Sequence, residues 1–265
     1  MVSKIFLFFA VYSIKKVHMY FVERLSEVVE GRIIRRVNRF IVEIEIDGRI
    51  IYAHNTNTGR LQDFLVGGRR ALLIKRSSER SKTRYRLIGV EDVVAGDFAV
   101  IDTITQNKVF EKLVEQGAFT WMKNCRVVSK NPLYENVRFD YEIECIDKSY
   151  LVETKSAVLR GDDNEAMYPD CPTERGRRHI EKLIKLKLSG GHEPMLVFIA
   201  AMKNPLCFKP FGKEDLGVER LVAEAIRRGV SVKTFSIYMN RSGEIFLDNP
   251  DLMICREFLE KIFDT

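Results

Sequence analysis

The hydrophobic pattern changes period partway along the chain, and that change predicts two kinds of structure. In the run Phe40-Ile41-Val42-Glu43-Ile44-Glu45-Ile46, positions 40, 42, 44 and 46 are apolar and 43 and 45 are acidic. Alternation of this kind marks a strand with one face buried. Asp47-Gly48 is a hairpin signal, and Ile50-Ile51-Tyr52-Ala53 supplies the returning strand. Asn55-Thr56-Asn57-Thr58-Gly59-Arg60 is a polar loop, Gly67-Gly68 marks another turn, and residues 71–74 and 84–88 read as further strands. Several short antiparallel strands in so short a span suggest a small OB-like β-barrel.

After Gly96 the grammar is different. Residues 98–101 read as a strand and 108–116 as a short helix. Residues 137–145 and 150–159 follow as a strand pair joined near Asp147-Lys148. A helix is expected over 173–188, with an apolar stripe at Ile180, Leu183 and Ile184 and an end at Gly190-Gly191. Met195–Ala200 has no polar alternation and should be a strand buried on both faces. A helix over 216–228 and a strand over 230–238 complete a layered α/β pattern.

This reading divides the chain into an apolar leader (1–18), an OB-like domain (19–95), an α/β domain (96–247) and a helical tail (248–265). The leader's apolar run, Ile5–Ile14, is too short to span a bilayer, which takes about twenty residues. Met19 serves as the working start, and no membrane partner is expected. The tail has an amphipathic look (Leu252, Cys255, Leu259, Phe263) that suits capping the fold or joining a partner, so the oligomeric state stays open, a homodimer included.

Composition adds charge to this picture. The formal net charge is +6, which tilts the expected partner toward a polyanion. The five cysteines are odd in number, widely spaced and in no CxxC pair, so reduced thiols in a cytoplasmic protein are expected.

The most informative chemistry lies in Tyr150-Leu151-Val152-Glu153-Thr154-Lys155-Ser156. On a strand Glu153 and Lys155 share a face, where both are expensive to bury without a purpose. Asp140, in the preceding strand, can meet Glu153 across the hairpin. Two carboxylates, with the Thr154 carbonyl as a further oxygen, make a hard oxygen site suited to Mg²⁺ or Mn²⁺. Lys155 would then position a water or stabilise a charged transition state. The same spacing also suits a surface hairpin carrying a Glu153–Lys155 ion pair.

A second cluster, Thr173-Glu174-Arg175-Gly176-Arg177-Arg178-His179, reads as a helix start with Thr173 as N-cap. Helix N-termini attract anions, and Arg175, Arg177 and Arg178 would strengthen the attraction. Gly176 is costly inside a helix by about 1 kcal/mol, and close approach of a phosphate backbone would explain it. His179, beside an apolar stripe, reads as structural more readily than as a general acid. In the first domain Arg35, Arg36 and Arg39, and then Arg69, Arg70, Lys75, Arg76, Arg80, Lys82, Arg84 and Arg86, are dense enough to track a phosphate backbone, with Phe40 or Tyr85 available for stacking. A small-molecule enzyme is disfavoured, because there is no glycine-rich nucleotide loop and no Ser/His/Asp arrangement.

With these residues on the page, the chain resembles the sugar fermentation stimulation protein A family. The matching segments are Arg36-Val37-Asn38-Arg39-Phe40, Asn57-Thr58-Gly59-Arg60-Leu61, Arg138-Phe139-Asp140, Val152-Glu153-Thr154-Lys155-Ser156, and Tyr168-Pro169-Asp170 continuing into Thr173–His179. They cover roughly residues 24–240. The resemblance implies an OB-like domain followed by a restriction-endonuclease-like PD-(D/E)xK α/β domain. It also implies DNA binding connected with regulation of sugar metabolism. By position, Asp140 matches the family's metal-binding aspartate, Glu153 and Lys155 its E-x-K pair, and Asn57-Thr58-Gly59 its N-T-G loop. Thr154 stands where an aliphatic residue is commoner, and Asn55-Thr56 replaces a Cys-Pro or similar pair.

The expectation is therefore a DNA-binding protein whose catalytic residues are Asp140, Glu153 and Lys155, with Mg²⁺ or Mn²⁺ on Asp140 and Glu153. Its nucleic-acid contacts would be Arg36, Arg39, Asn57, Thr58, Arg60, Arg175, Arg177 and Arg178. The alternative is a non-catalytic DNA-binding regulator that keeps the nuclease architecture.

Overall fold

The computed structural model describes residues 20–76, 83–190 and 192–263; the expected leader, Arg80, Lys82 and Gly191 lie outside these. After β1 (Tyr20–Arg24), five strands form the first unit: β2 (Val28–Asn38), β3 (Ile41–Ile46), β4 (Arg49–His54), β5 (Arg70–Lys75) and β6 (Tyr85–Glu91). β2 pairs antiparallel with β3 and β5, β3 with β4, and β5 with β6. β4 then closes against β6 in parallel, giving a closed five-stranded OB barrel.

Local chemistry explains the hairpin between β3 and β4. Asp47 and Gly48 both take left-handed backbone (φ 48° and 73°), the geometry that matches strand twist in a two-residue turn. Val42 and Ile44 point into the barrel, as the alternation predicts. Phe40 does not. It precedes the strand and is exposed, with the Arg39 guanidinium 4.9 Å above its ring.

β7 (Phe98–Val100) pairs with β6 and leads into the second unit. The helix α1 (Thr103–Glu115) begins five residues earlier than the apolar pattern suggested, because Asp102 caps it by accepting from Thr105 N–H. Its polar first turn hides it from a periodicity count. Next come β8 (Arg126–Lys130), the small hairpin β9 (Leu133–Tyr134) and β10 (Val137–Arg138), then β11 (Tyr141–Glu144) and β12 (Ser149–Ser156). They are followed by β13 (Leu159–Arg160), β14 (Ala166–Tyr168), α2 (Glu174–Ser189), β15 (Glu193–Ala200) and β16 (Phe208–Pro210). The chain ends with α3 (Leu216–Arg227), β17 (Ser231–Met239), β18 (Glu244–Asn249) and α4 (Arg256–Phe263).

β12, β15 and β17 lie parallel at the centre of the sheet, with Glu153 beside Leu196 and Lys155 beside Phe198. β15 is buried on both faces, as its unbroken apolar run requires. The two faces are filled differently. On one, Phe110 of α1 lies 5.9 Å from Phe235, and Phe119 packs 5.0 Å from the same ring. On the other, Phe198 stacks on Phe208 at 4.1 Å, beside Tyr168. The barrel and this sheet are continuous, because β7 also meets β17 through Phe98 and Met239. β1 pairs with β18.

The expectation of reduced thiols is corrected for four of the five cysteines. Cys125 bonds to Cys145 and Cys207 to Cys255, leaving Cys171 free. Neither pair has a local sequence signature. The first joins the segments flanking the paired strands β8 and β11, and the second flanks a bridge between Phe208 and Ile254. Among the described residues no helix is long and apolar enough to cross a membrane. The tail helix docks through Phe258 and Ile262, while Phe263, an expected member of its stripe, is exposed.

Candidate active site

β12 supplies the centre of the site, and strand parity sorts its side chains. Glu153 and Lys155 turn toward α2 and form an ion pair, with side chains only 4% and 11% exposed. The imidazole Nδ1 of His179, on α2, is 2.7 Å from Glu153 Oε1, off the line of a good hydrogen bond. Phe139 holds that ring edge-on at 6.1 Å. Glu153 Oε2 is buried and has no hydrogen-bond partner among the described residues.

Asp140 sits at a bend between β10 and β11, not inside a strand as expected. Its N–H donates to the Val152 carbonyl at 3.1 Å, and pairing of Tyr141 with Val152 brings it level with the middle of β12. Its Oδ2 accepts the Thr154 N–H at 2.7 Å and lies 2.6 Å from the Thr154 hydroxyl. That hydroxyl is also 3.0 Å from Asn107 Oδ1 of α1. Asp140, Glu153 and Lys155 all line one cleft of about 270 Å³, together with Thr58 and Arg175.

The electrostatics of the three groups differ. Burial, and then the charge of Glu153, push the Asp140 carboxyl above the usual aspartate range. Burial also pushes Glu153 upward, but Lys155 and His179 outweigh it and hold the carboxyl below its ordinary value. For Lys155 burial pulls downward, and Glu153, Tyr168 and Asp140 together hold the ammonium above its ordinary value. The cleft therefore contains an Asp140 carboxyl whose charged form its surroundings disfavour and an unsatisfied oxygen on Glu153.

No group of three or more His, Cys, Asp or Glu side chains suited to a metal ion occurs among the described residues. Two carboxylates are nonetheless what Mg²⁺ commonly takes from a protein, since it retains waters and takes substrate phosphate for the rest. The orphaned Glu153 Oε2 fits such an ion.

The polar loop at 55–60 forms the seam between the barrel and the cleft. Thr56 donates to Asp102 Oδ1 at 2.7 Å and accepts from Thr103 N–H at 3.0 Å. Asn57 reaches Ser156 Oγ at 3.2 Å, at the end of β12. Gly59 is required by contact, because a Cβ there would lie 2.3 Å from Asp170 Oδ1. Asp170 Oδ2 in turn accepts the Leu61 N–H at 2.9 Å. Thr58 is left facing the cleft.

The basic residues divide into engaged and available groups. Arg36 donates to the carbonyls of Gly59 and Arg60 and so holds the loop, with burial pulling its guanidinium below the ordinary value. Arg60 pairs with Glu214 at 2.7 Å, and Arg177 with both oxygens of Asp215 at 2.8 and 2.9 Å. On the barrel Arg35 pairs with Glu43, Arg70 with Glu91 and Arg86 with Asp102, so much of its dense charge is internally neutralised. Arg175 and Arg178 are exposed, and neither has a hydrogen bond or ion pair among the described residues.

Thr173 caps α2 as expected, accepting from Gly176 N–H at 3.0 Å. Gly176 has a different explanation from the one the sequence suggested. A Cβ there would lie 2.6 Å from the Tyr168 hydroxyl, so this glycine makes room for a neighbour in the fold. Asn107, the Thr154 hydroxyl and Asp170 were not expected as site groups. The first lies in a polar helical turn without apolar periodicity. For Thr154 the sequence suggests only a backbone carbonyl for the ion and a minor departure from the family pattern, and Asp170 belongs to a matching segment without an assigned task.

Residues 34–101 match the SfsA N-terminal OB domain, and residues 104–243 match the sugar fermentation stimulation protein RE domain. A sugar fermentation stimulation protein homolog from Pyrococcus furiosus is 44% identical over 212 residues, spanning 80% of this chain and 90% of that protein. One from Archaeoglobus fulgidus is 36% identical over 232 residues, spanning 87% and 97%. The solved structure of Pyrococcus furiosus SfsA in complex with Ca²⁺ is 41% identical and superposes with a TM-score of 0.84, covering 89% of this chain and 99% of that one. This chain belongs to the sugar fermentation stimulation protein family.

Proposed function

We propose that this protein binds DNA and hydrolyses its phosphodiester bonds, using Mg²⁺ or Mn²⁺ held by Asp140 and Glu153. The observation that carries the reading is the buried, partnerless Glu153 Oε2 in the same cleft as Asp140, whose charged form its surroundings disfavour. A divalent cation would relieve both. The similar Pyrococcus furiosus protein was solved in complex with Ca²⁺, a cation of the same hard class.

When bound, such an ion neutralises phosphate charge and lowers the pKa of a water. The chain's own residues supply the rest. Lys155 is kept charged by Glu153 and offers its ammonium to a phosphate oxygen whose charge grows in the transition state. Thr154 holds Asp140 in place through its N–H and hydroxyl, as residues behind a metal ligand do, and Asn107 lies against that hydroxyl. Arg175, Arg178 and Thr58, with Arg39 and Phe40 on the barrel, meet the strand. Arg36, Asn57, Arg60 and Arg177 shape the walls around it. We place this activity in the cytoplasm.

The test is incubation with plasmid and with single-stranded DNA in Mn²⁺, Mg²⁺ or EDTA, beside Asp140→Ala and Lys155→Ala. Cleavage that needs metal and vanishes in both variants is the expected result. Retention of DNA without cleavage under any metal would refute hydrolysis and leave a DNA-binding regulator.

A further inference from the structure

Beside the cleft lies a second hollow of about 170 Å³, lined by Asn136, Val137, Arg138, Arg175, Arg178 and His179. Arg175 borders both spaces. The wall holds three guanidinium groups and an imidazole, and no carboxylate.

Two separate elements build it. On one side, the turn Glu135-Asn136 takes left-handed backbone at both residues (φ 41° and 67°) and folds β10 back on β9. This presents Asn136 and Arg138 to the hollow. Arg138 donates to the Asn131 carbonyl at 3.1 Å, and the Glu135 carboxylate pairs with Lys182, fastening the turn to α2. On the other side, Arg175, Arg178 and His179 share a face of α2 by their spacing of three and four residues. Arg177 is absent from this wall, being held by Asp215.

His179 connects the hollow to the metal cleft. Its side chain is 10% exposed, and its Nδ1 lies 2.7 Å from Glu153 Oε1. Its Nε2, on the opposite side of the ring, has no hydrogen bond among the described residues. Three like charges around so small a space repel one another, and nothing in the wall offsets them. Arginine forks match the oxygen geometry of phosphate.

We propose that this hollow binds a phosphate group of the nucleic-acid strand adjacent to the one in the metal cleft. The identity of the strand rests on the hydrolytic reading above; the anion site does not. An internal phosphodiester and a terminal monophosphate share the required chemistry, and the ends of the probe separate them.

Binding is measured in Ca²⁺ and in EDTA, so cleavage is not required. The probes are short labelled oligonucleotides, single- and double-stranded, with either hydroxyl or phosphate at each end. Arg138→Ala, Arg178→Ala and their double variant are compared with the full-length protein, and circular dichroism checks the fold. Arg138→Lys and Arg178→Lys keep the charge without the fork. Each alanine variant should bind about 10-fold more weakly, and its slope of log affinity against log salt should fall by about 1. The lysine variants should recover the slope and part of the affinity. A preference for phosphorylated ends that the double variant loses assigns a terminal phosphate; equal loss on all ends assigns an internal one. Unchanged affinity and slope in the double variant would overturn the proposal. Loss of metal-dependent cleavage in the wild type, with these binding differences intact, would remove only the hydrolytic reading.

Discussion

Thr154 offers Asp140 Oδ2 both its backbone N–H, at 2.7 Å, and its hydroxyl, at 2.6 Å. The residue between Glu153 and Lys155 therefore anchors the carboxylate that arrives from the neighbouring segment. Strand parity makes this economical, because the side chain of Thr154 points away from Glu153 and toward α1.

Thr154→Val keeps the shape and removes the hydroxyl. Affinity for Mn²⁺ should fall about 10-fold, as for other residues that orient a metal ligand. Isothermal titration of the full-length protein measures it. Unchanged affinity would mean that the backbone N–H alone sets the carboxylate.

Asp170 occupies the space that a side chain at 59 would need. Gly59→Ala should destabilise by about 1–3 kcal/mol through overpacking. Asp170→Ala should cost about 1–2 kcal/mol by leaving the Leu61 N–H unpaired. The double variant should be more stable than the sum of the two predicts, since truncating Asp170 removes the carboxylate that a side chain at 59 would meet. Strict additivity in denaturant unfolding would show that the contact is not felt.

Asp215 caps α3 and receives Thr173 N–H, Val218 N–H and Arg177. Burial pushes its carboxyl upward, but these donors outweigh it and hold it below the ordinary aspartate value. A carboxyl depressed by folding stabilises the native state above its unfolded pKa. That contribution is lost as pH falls through the lower, folded value. Asp215→Ala should thus cost about 2 kcal/mol at pH 7, the scale of a lost cap plus a charged hydrogen bond. The gap from the wild type should shrink below about pH 4, the ordinary aspartate range. Urea unfolding at a series of pH values reads both effects, and a gap constant down to pH 2 would contradict the assignment.

The two disulfides close loops separated by 20 and 48 residues in sequence. Chain-entropy arguments assign them about 3 and about 4 kcal/mol. Thiol titration of the unfolded, unreduced protein should find one free thiol per chain. Reduction should lower the midpoint of thermal unfolding by several degrees. Five titratable thiols without reductant would rule the pairs out.

Elements whose geometry depends on near neighbours were legible in the sequence. Asp47-Gly48 announced its hairpin, the run Met195–Ala200 announced a strand covered on both faces, and Thr173 announced a helix start. The parity of Glu153 and Lys155 was equally plain, because a two-residue period leaves no other arrangement on a strand. Periodicity is a local property, and these features rest on interactions a few residues long.

What the fold alone decided is which groups meet across large sequence distances. Arg36, Arg60 and Arg177 look as available as Arg175 and Arg178 in the sequence, yet carbonyls and carboxylates up to 154 residues away engage the first three. The cysteine pairs, the neighbour that explains Gly176 and the docking of the 55–60 loop onto β12 are of the same kind. Charge and composition state how many groups of each sort a chain has. Only the closing of the barrel onto the central sheet determines which are neutralised by one another and which remain for a ligand.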